Sequence, residues 1–164
     1  MSRTTTIELF KEEMKFSAGH FTIFSATERE NLHGHNFTVA VALSGTVNDN
    51  GLLGDYGIFK HKVREMCTQW NETFMLPLHS PHLRVDDSDA NEIRAHYADE
   101  TLRFLRRDVT LMAVKNVTVE ELSRVFGERL VEDHALLAAQ GVTGLVVKCA
   151  SGPGQWASWT WEGA

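Results

Sequence analysis

From Asn36 to Gly45 the sequence "NFTVAVALSG" alternates without a slip: Phe37, Val39, Val41 and Leu43 fall on one side, and Thr38, Ala40, Ala42 and Ser44 on the other. In an extended chain successive side chains point to opposite faces, so this run is a β-strand with one bulky face and one small face. Such a strand commits the chain to a sheet whose bulky face is covered by another layer.

The flanking segments supply the partners. "IELFKEEMKF", over 7–16, mixes apolar and charged residues at roughly alternate positions and leads into "SAGH", so a strand is expected there, with His20 just beyond it. After the turn-rich "NDNGLLGDYG", a helix is expected over 58–72, with Ile58, Val63, Met66, Trp70 and optionally Phe59 on its apolar stripe. "NEIRAHY" and "ETLRFL" flank Ala98 and Asp99 and read as a hairpin. Thr118, with Glu121 three residues on, is a capping-box pattern for a long helix that Gly141 ends. "GLVVKCAS" and "QWASWTW" read as a closing pair of strands. The order strand, strand, helix, hairpin, helix, strand, strand makes the class α+β with antiparallel pairing.

The 164 residues, 43% of them hydrophobic, suit one domain spanning 1–164 with a core of its own. A formal charge of −6 opposes attraction to nucleic acid or an anionic membrane surface, so neither is expected as a partner, and a small anionic substrate needs a local positive centre. Two cysteines, no apolar core of a leader in "MSRTTTIELF" and no run near the roughly 20 apolar residues of a membrane helix lead to the expectation of a reduced, cytoplasmic protein.

Just before the alternating strand stands "RENLHGHNF". Residues two apart on a strand point the same way, so His33 and His35 present neighbouring imidazoles on one face, and Gly34 allows close backbone approach or a bulge. If the two strands pair antiparallel, His20 arrives beside them. Three neutral imidazoles with one open position make the donor set of a catalytic zinc site. A His-x-His pair also occurs as ordinary strand residues, and the third histidine is what favours the metal. His61, His79, His82, His96 and His134 fall in helical or polar segments and are read as solvent-facing, with "LHSPHL" the one further pair of note.

"FSAGH", "LHGHNFTVAVALSG", "GLLGDYGIFK" and "NVTVEEL", in that order, resemble the 6-pyruvoyltetrahydropterin synthase and 6-carboxytetrahydropterin synthase family. The resemblance implies the tunnelling fold, in which an antiparallel sheet and two main helices from each chain assemble into an oligomeric barrel, commonly a homo-hexamer of two trimers with active sites between subunits. It also implies that His20, His33 and His35 bind zinc, and that the protein is a carbon–oxygen lyase with a substrate like 7,8-dihydroneopterin triphosphate, on a route to folate or queuosine.

The chain departs from the family pattern at three places. The cysteine that serves as general base in well-known members is missing from "TERENLHGH"; Glu30 resembles the variant branch with a glutamate there, whose product is 6-hydroxymethyl-dihydropterin. Its other reading is one charge in a solvated loop. The family's Asp-His pair falls on Asn71 and Glu72, where Glu72 is either an acid or base or the exposed end of a helix. The ring-binding glutamate of the penultimate strand falls on Cys149 and Ala150; Cys149 is either a small buried residue or a new nucleophile or base. Thr118 and Glu120 resemble the family's Thr-x-Glu substrate-binding pair, and Thr118 serves equally as a helix cap. Recruitment of the fold to a non-pterin substrate, and a non-catalytic zinc- or pterin-binding homologue, remain the alternatives. The segment from Leu83 to Met112 has no chemical account at this level.

Overall fold

A computed structural model describes residues 3–163. Strands β1 (Thr4–Leu9), β2 (Lys15–His20) and β3 (His33–Thr46) come first, followed by helix α1 (Gly57–Trp70). Strands β4 (Thr73–Pro77), β5 (Leu83–Asp86), β6 (Glu92–Tyr97), β7 (Glu100–Leu105) and β8 (Val109–Met112) lead to helices α2 (Val119–Val131) and α3 (His134–Ala139), and β9 (Val142–Ala150) and β10 (Ala157–Glu162) close the chain. The fold is α+β, as the alternation and helical stripes required.

β3 is the axis. Its Phe37, Val39, Val41 and Leu43 are all buried, which is the bulky face read from the sequence. One edge of β3 is paired with β9, and the other is paired first with β2 and then with β1, all antiparallel. The strand expected over 7–16 is therefore two strands laid end to end. β1 stops with Leu9 opposite Val41, and β2 starts with Lys15 opposite Thr38, so residues 10–14 loop out where β3 has only two residues to offer. Met14 holds the loop down: its N–H donates to the Lys11 carbonyl and its own carbonyl accepts from Val39.

The seven-stranded sheet runs β10-β9-β3-β2-β4-β8, with β1 beside β3. Two pairings on one side are parallel, β2 with β4 and β4 with β8. Each joins strands separated by a long crossover, which local periodicity does not reveal.

α1 and α2 cover the bulky face. On α1 the buried side chains are Phe59, Val63, Met66, Cys67 and Trp70, so Phe59 and not Ile58 begins the stripe, one turn before Val63. On α2, Leu122, Phe126 and Leu130 repeat every four residues, and Gly127 lets the helix sit against the ring of Trp159. The Thr118 hydroxyl caps α2 by accepting from the Glu121 N–H at 3.4 Å. The single helix expected from Thr118 to Gly141 is broken: Asp133 leaves helical geometry (φ −96°, ψ 84°) and its carboxylate accepts from the Leu136 N–H, capping α3 anew.

The expected hairpin is β6–β7, turning at Ala98 and Asp99, with Ala98 at φ 49°. With β5 it forms a separate three-stranded sheet. A second core of Phe21, Ile23, Leu76, Leu83, Ile93 and Tyr97 joins this small sheet to the segment following β2.

Candidate metal centre

The pairing of β2 with β3 decides the site. His20 stands directly opposite His33, and His35 opposite Ala18, in a register that runs unbroken through Gly34, without the bulge that glycine would allow. By the two-residue period of the strand, Phe16, Ala18 and His20 share one face with His33, His35 and Phe37. Phe16 and Phe37 stack at 5.1 Å toward the core end of that face, and the histidines occupy its outer end. Across the sheet from them, Gly19 leaves the space that the Phe74 ring fills.

The three rings converge, offering nitrogen atoms within 4.8 Å of one another. His33 Nε2 and His35 Nε2 are 3.1 Å apart. Two nitrogens bound at 2.0–2.1 Å to one tetrahedral ion stand about 3.3 Å apart, so this spacing suits a shared cation. His20 Nδ1 lies 2.8 Å from the Val117 carbonyl, and His33 Nδ1 lies 2.8 Å from the Asn31 carbonyl. A carbonyl can only accept, so in each neutral ring the proton sits on Nδ1 and the Nε2 lone pair is left for another partner. His20 Nε2 is buried with no hydrogen-bond partner among the described residues. A buried, unpartnered acceptor aimed at two other imidazoles is the arrangement a metal completes.

Electrostatics favour the neutral, ligating forms. Burial pushes the His20 imidazole below its usual value; the Val117 carbonyl works against this, and His33 and His35 reinforce it. His35 is lowered too, by burial first and by His33 second, against Glu30. Glu30 Oε2 is 3.8 Å from His33 Nε2 and accepts from the Thr22 N–H at 2.9 Å. Desolvation pushes this carboxyl up, but the hydrogen bonds from Thr22 and the nearby His33 and His20 outweigh it, so the group lies below the usual carboxylate range and is ionised at neutral pH. The site thus sets one negative carboxylate beside the imidazoles of His20 and His35, both of which burial holds toward the neutral form.

Beside His35 opens a cavity of about 470 Å³, lined also by Ser17, Asn36 and Glu72. These last three continue into a larger cavity of about 920 Å³ that reaches Cys67. Glu72 holds a left-handed backbone (φ 59°), and its N–H donates to the Ser17 carbonyl while Asn71 Oδ1 accepts from the Ser17 N–H. The end of α1 is thereby stapled to β2, with Glu72 in the same groove as His35.

The remaining sequence-derived residues fall elsewhere. Cys149 is buried in the main core and its thiol is pushed up to about 12, first by burial and then by nearby Cys67. Ala150 is equally buried, so neither presents an atom to the groove. Glu120 lines a separate cavity with Trp156. His79 and His82 are exposed, and His82 shares a shallow surface cavity with His96.

Sequence reasoning missed Asn31 and Val117, whose carbonyls orient two of the rings, and no sequence signal marks a backbone acceptor. It also missed Asn116, which holds Ile23 by accepting from its N–H at 3.2 Å and donating to its carbonyl at 2.8 Å. That residue begins the "NVTVEEL" motif read only for its threonine and glutamates.

A mixed α+β sheet with two covering helices, carrying a histidine triad at the outer end of paired strands, defines a tunnelling-fold protein with a donor set that could hold a metal. The model of the 6-pyruvoyl tetrahydropterin synthase family matches residues 9–162, and the chain belongs to that family, whose members are pterin-directed lyases that depend on a metal. The solved 6-pyruvoyltetrahydropterin synthase of Plasmodium vivax is 27% identical and superposes with a TM-score of 0.91 over 98% of this chain and 99% of its own. A variant of that enzyme described as a catalytic-residue mutant, glutamate to alanine, gives the same score at 26% identity. A Methanocaldococcus jannaschii protein named provisionally as a 6-carboxy-5,6,7,8-tetrahydropterin synthase is 24% identical over 143 residues, 87% of this chain and 86% of its own length.

Proposed function

We propose that this protein is a zinc-dependent lyase acting on 7,8-dihydroneopterin triphosphate or a closely related pterin, with His20, His33 and His35 holding the metal and Glu30 as the base. The observation that carries the reading is the ionised Glu30 carboxylate 3.8 Å from the Nε2 of His33, beside three histidines whose ring nitrogens lie within 4.8 Å of one another. When bound, a divalent ion supplies Lewis-acid polarisation of substrate oxygens and the positive centre that an acidic protein needs for an anionic ligand.

The chain's own part is proton transfer and placement. Glu30 takes a proton from the three-carbon side chain of the dihydropterin, and the C6=N5 bond of the ring accepts the electron pair. If the proton comes from C1′, N5 is protonated and the enol relaxes to a C1′ ketone, and loss of a second proton from C2′ breaks the C3′–O bond and expels triphosphate. If it comes from the C2′ hydroxyl, the C1′–C2′ bond breaks, the two-carbon aldehyde leaves with its triphosphate, and return of the proton to C1′ gives 6-hydroxymethyl-dihydropterin. Support for a glutamate in this role comes from the Plasmodium vivax relative, in which a glutamate is described as catalytic. Glu72, on the cavity that borders His35, is proposed as a further acid or base. Thr118 and Glu120 are proposed for the pterin ring, with Glu120 reaching it from a neighbouring subunit of a homo-oligomer. β10 and β8, at the two ends of the large sheet, each keep an unpaired edge that such an assembly can use.

The experiment is product analysis by liquid chromatography and mass spectrometry after incubating zinc-loaded protein with 7,8-dihydroneopterin triphosphate. Conversion that is lost in His33→Ala and falls about a hundredfold or more in Glu30→Gln, with zinc retained, supports the reading. Full turnover in Glu30→Gln removes Glu30 as base.

The buried Cys149 and Ala150 favour a second reading, in which the fold serves a non-pterin substrate, because the family's ring-binding carboxylate has no replacement there. No binding of any pterin by calorimetry would decide for it.

A further inference from the structure

The segment that carries Glu30 has no regular secondary structure of its own beyond a single bridge between Ile23 and Arg29. Its hold comes from the small sheet β5-β6-β7. The Arg29 side chain is 15% exposed, and its guanidinium carbon lies over the rings of Phe21 and Tyr97, 5.4 and 5.6 Å from their centroids. Its Nε donates to Glu100, the first residue of β7, at 3.0 Å, and a terminal nitrogen pairs with the same carboxylate. The other terminal nitrogen donates to the carbonyl of Glu30 itself at 2.8 Å. Tyr97, at the end of β6, donates its hydroxyl to the Ser25 carbonyl at 2.9 Å.

Glu30 is held from the opposite side by Thr22. Glu30 N–H donates to the Thr22 carbonyl, and Thr22 N–H donates to the Glu30 carboxylate, both at 2.9 Å. A carboxylate fixed at both its backbone and its side chain has little freedom left. An arginine fork that bonds a carboxylate and a carbonyl and lies against two aromatic faces is a rigid strut between the hairpin and that backbone.

We propose that the β5-β6-β7 sheet is a brace for the site and that Arg29 is its point of contact, a positioning residue that sets the Glu30 carboxylate. This rests on the reading of Glu30 as the base. It gives the segment from Leu83 onward a role, since the hairpin presents Tyr97 and Glu100 to the loop that β2 and β3 leave between them. Displacement of a catalytic group by about 1 Å can cost up to a hundredfold in rate, so a brace remote from the chemistry has leverage on turnover.

The test uses Arg29→Met and the milder Glu100→Gln in the full chain, read in two ways. In metal-free protein, amide hydrogen exchange followed by NMR should show the Thr22 and Glu30 amides exchanging about tenfold faster in Arg29→Met and less so in Glu100→Gln, with β3 and β9 amides unchanged. In zinc-loaded protein turning over 7,8-dihydroneopterin triphosphate, Arg29→Met should lower kcat about tenfold, with KM within about twofold and zinc content equal to wild type. Combined with Glu30→Gln, Arg29→Met should add less than about a twofold loss, because it acts through Glu30. Unchanged Thr22 and Glu30 exchange in Arg29→Met, or full additivity with Glu30→Gln, overturns the proposal. Should Glu30→Gln keep wild-type turnover, or no pterin be converted, the reading of Glu30 as base fails, and the exchange measurement still decides whether Arg29 sets that loop.

Discussion

His20 Nδ1 lies 2.8 Å from the carbonyl of Val117, a residue 97 positions further along the chain. This bond joins the end of β2 to the segment that starts α2. It fixes the His20 tautomer, and with it the direction of the buried Nε2 that has no other partner.

Removal of the triad should therefore remove the metal. In His20→Ala, His33→Ala and His35→Ala, zinc content measured by mass spectrometry after dialysis should fall from near one ion per chain to a small fraction, since each variant deletes one of three donors. Full occupancy in all three would show that the ion sits elsewhere.

Acid should weaken the metal-free fold in a defined window. His20 and His35 both have folded-state values below the free imidazole value of 6.5, so just below that pH the unfolded chain binds more protons than the folded one. Stability then falls as pH drops through about 6.5 toward the lower folded values. Glu30 adds the same sign further down, because its contribution is present above 4.5 and lost as pH falls through its lowered folded value. Urea midpoints should be flat between about pH 7 and 8, decline below that range and decline again above about 9 as the unfolded thiols ionise, and the decline between pH 6.5 and 5 should shrink in His20→Gln. An identical decline in that variant would assign it to other groups.

Glu72 carries an opposition between stability and chemistry. A left-handed backbone at φ 59° costs a non-glycine residue about 1 kcal/mol, so Glu72→Gly should raise the urea midpoint while its Ser17 hydrogen bond, made by the backbone, survives. If the carboxylate serves the groove it shares with His35, turnover should drop in the same variant. A more stable protein with unchanged turnover would leave Glu72 a structural staple only.

Cys149 should be inert in the folded protein. With the thiol pushed up to about 12, the thiolate fraction at pH 8 is about one in ten thousand, and burial blocks access besides. Alkylation monitored by intact mass should modify neither Cys149 nor Cys67, likewise raised to about 12 by burial, until denaturant is added. Rapid modification of Cys149 under native conditions would restore it as a candidate nucleophile.

The readings that succeeded from sequence depended on near neighbours. The alternation of Phe37 to Ser44 fixes a strand and its buried face because side chains two apart must share a side. Thr118 with Glu121 marks a helix start because the cap bond spans one turn, and the hairpin at Ala98 lies where two short runs meet. The triad was legible because His33 and His35 obey that same period and because antiparallel pairing of successive strands brings His20 opposite them. Where sequence reading failed, the deciding contact was remote or the local pattern was degenerate. One apolar stripe covers α2 and α3, and only the geometry at Asp133 separates them.

The central strand with its buried face, the α2 cap and the convergence of three histidines are properties that the sequence alone determined, since each arises from residues within a turn or a strand period. The tertiary structure alone decided which atoms those histidines offer, that Cys149 is sealed in the core, and that Arg29 links Glu30 to Glu100, 71 residues beyond Arg29. These depend on which distant backbone carbonyl, ring or carboxylate arrives within about 3 Å, a matter of packing on which local periodicity is silent.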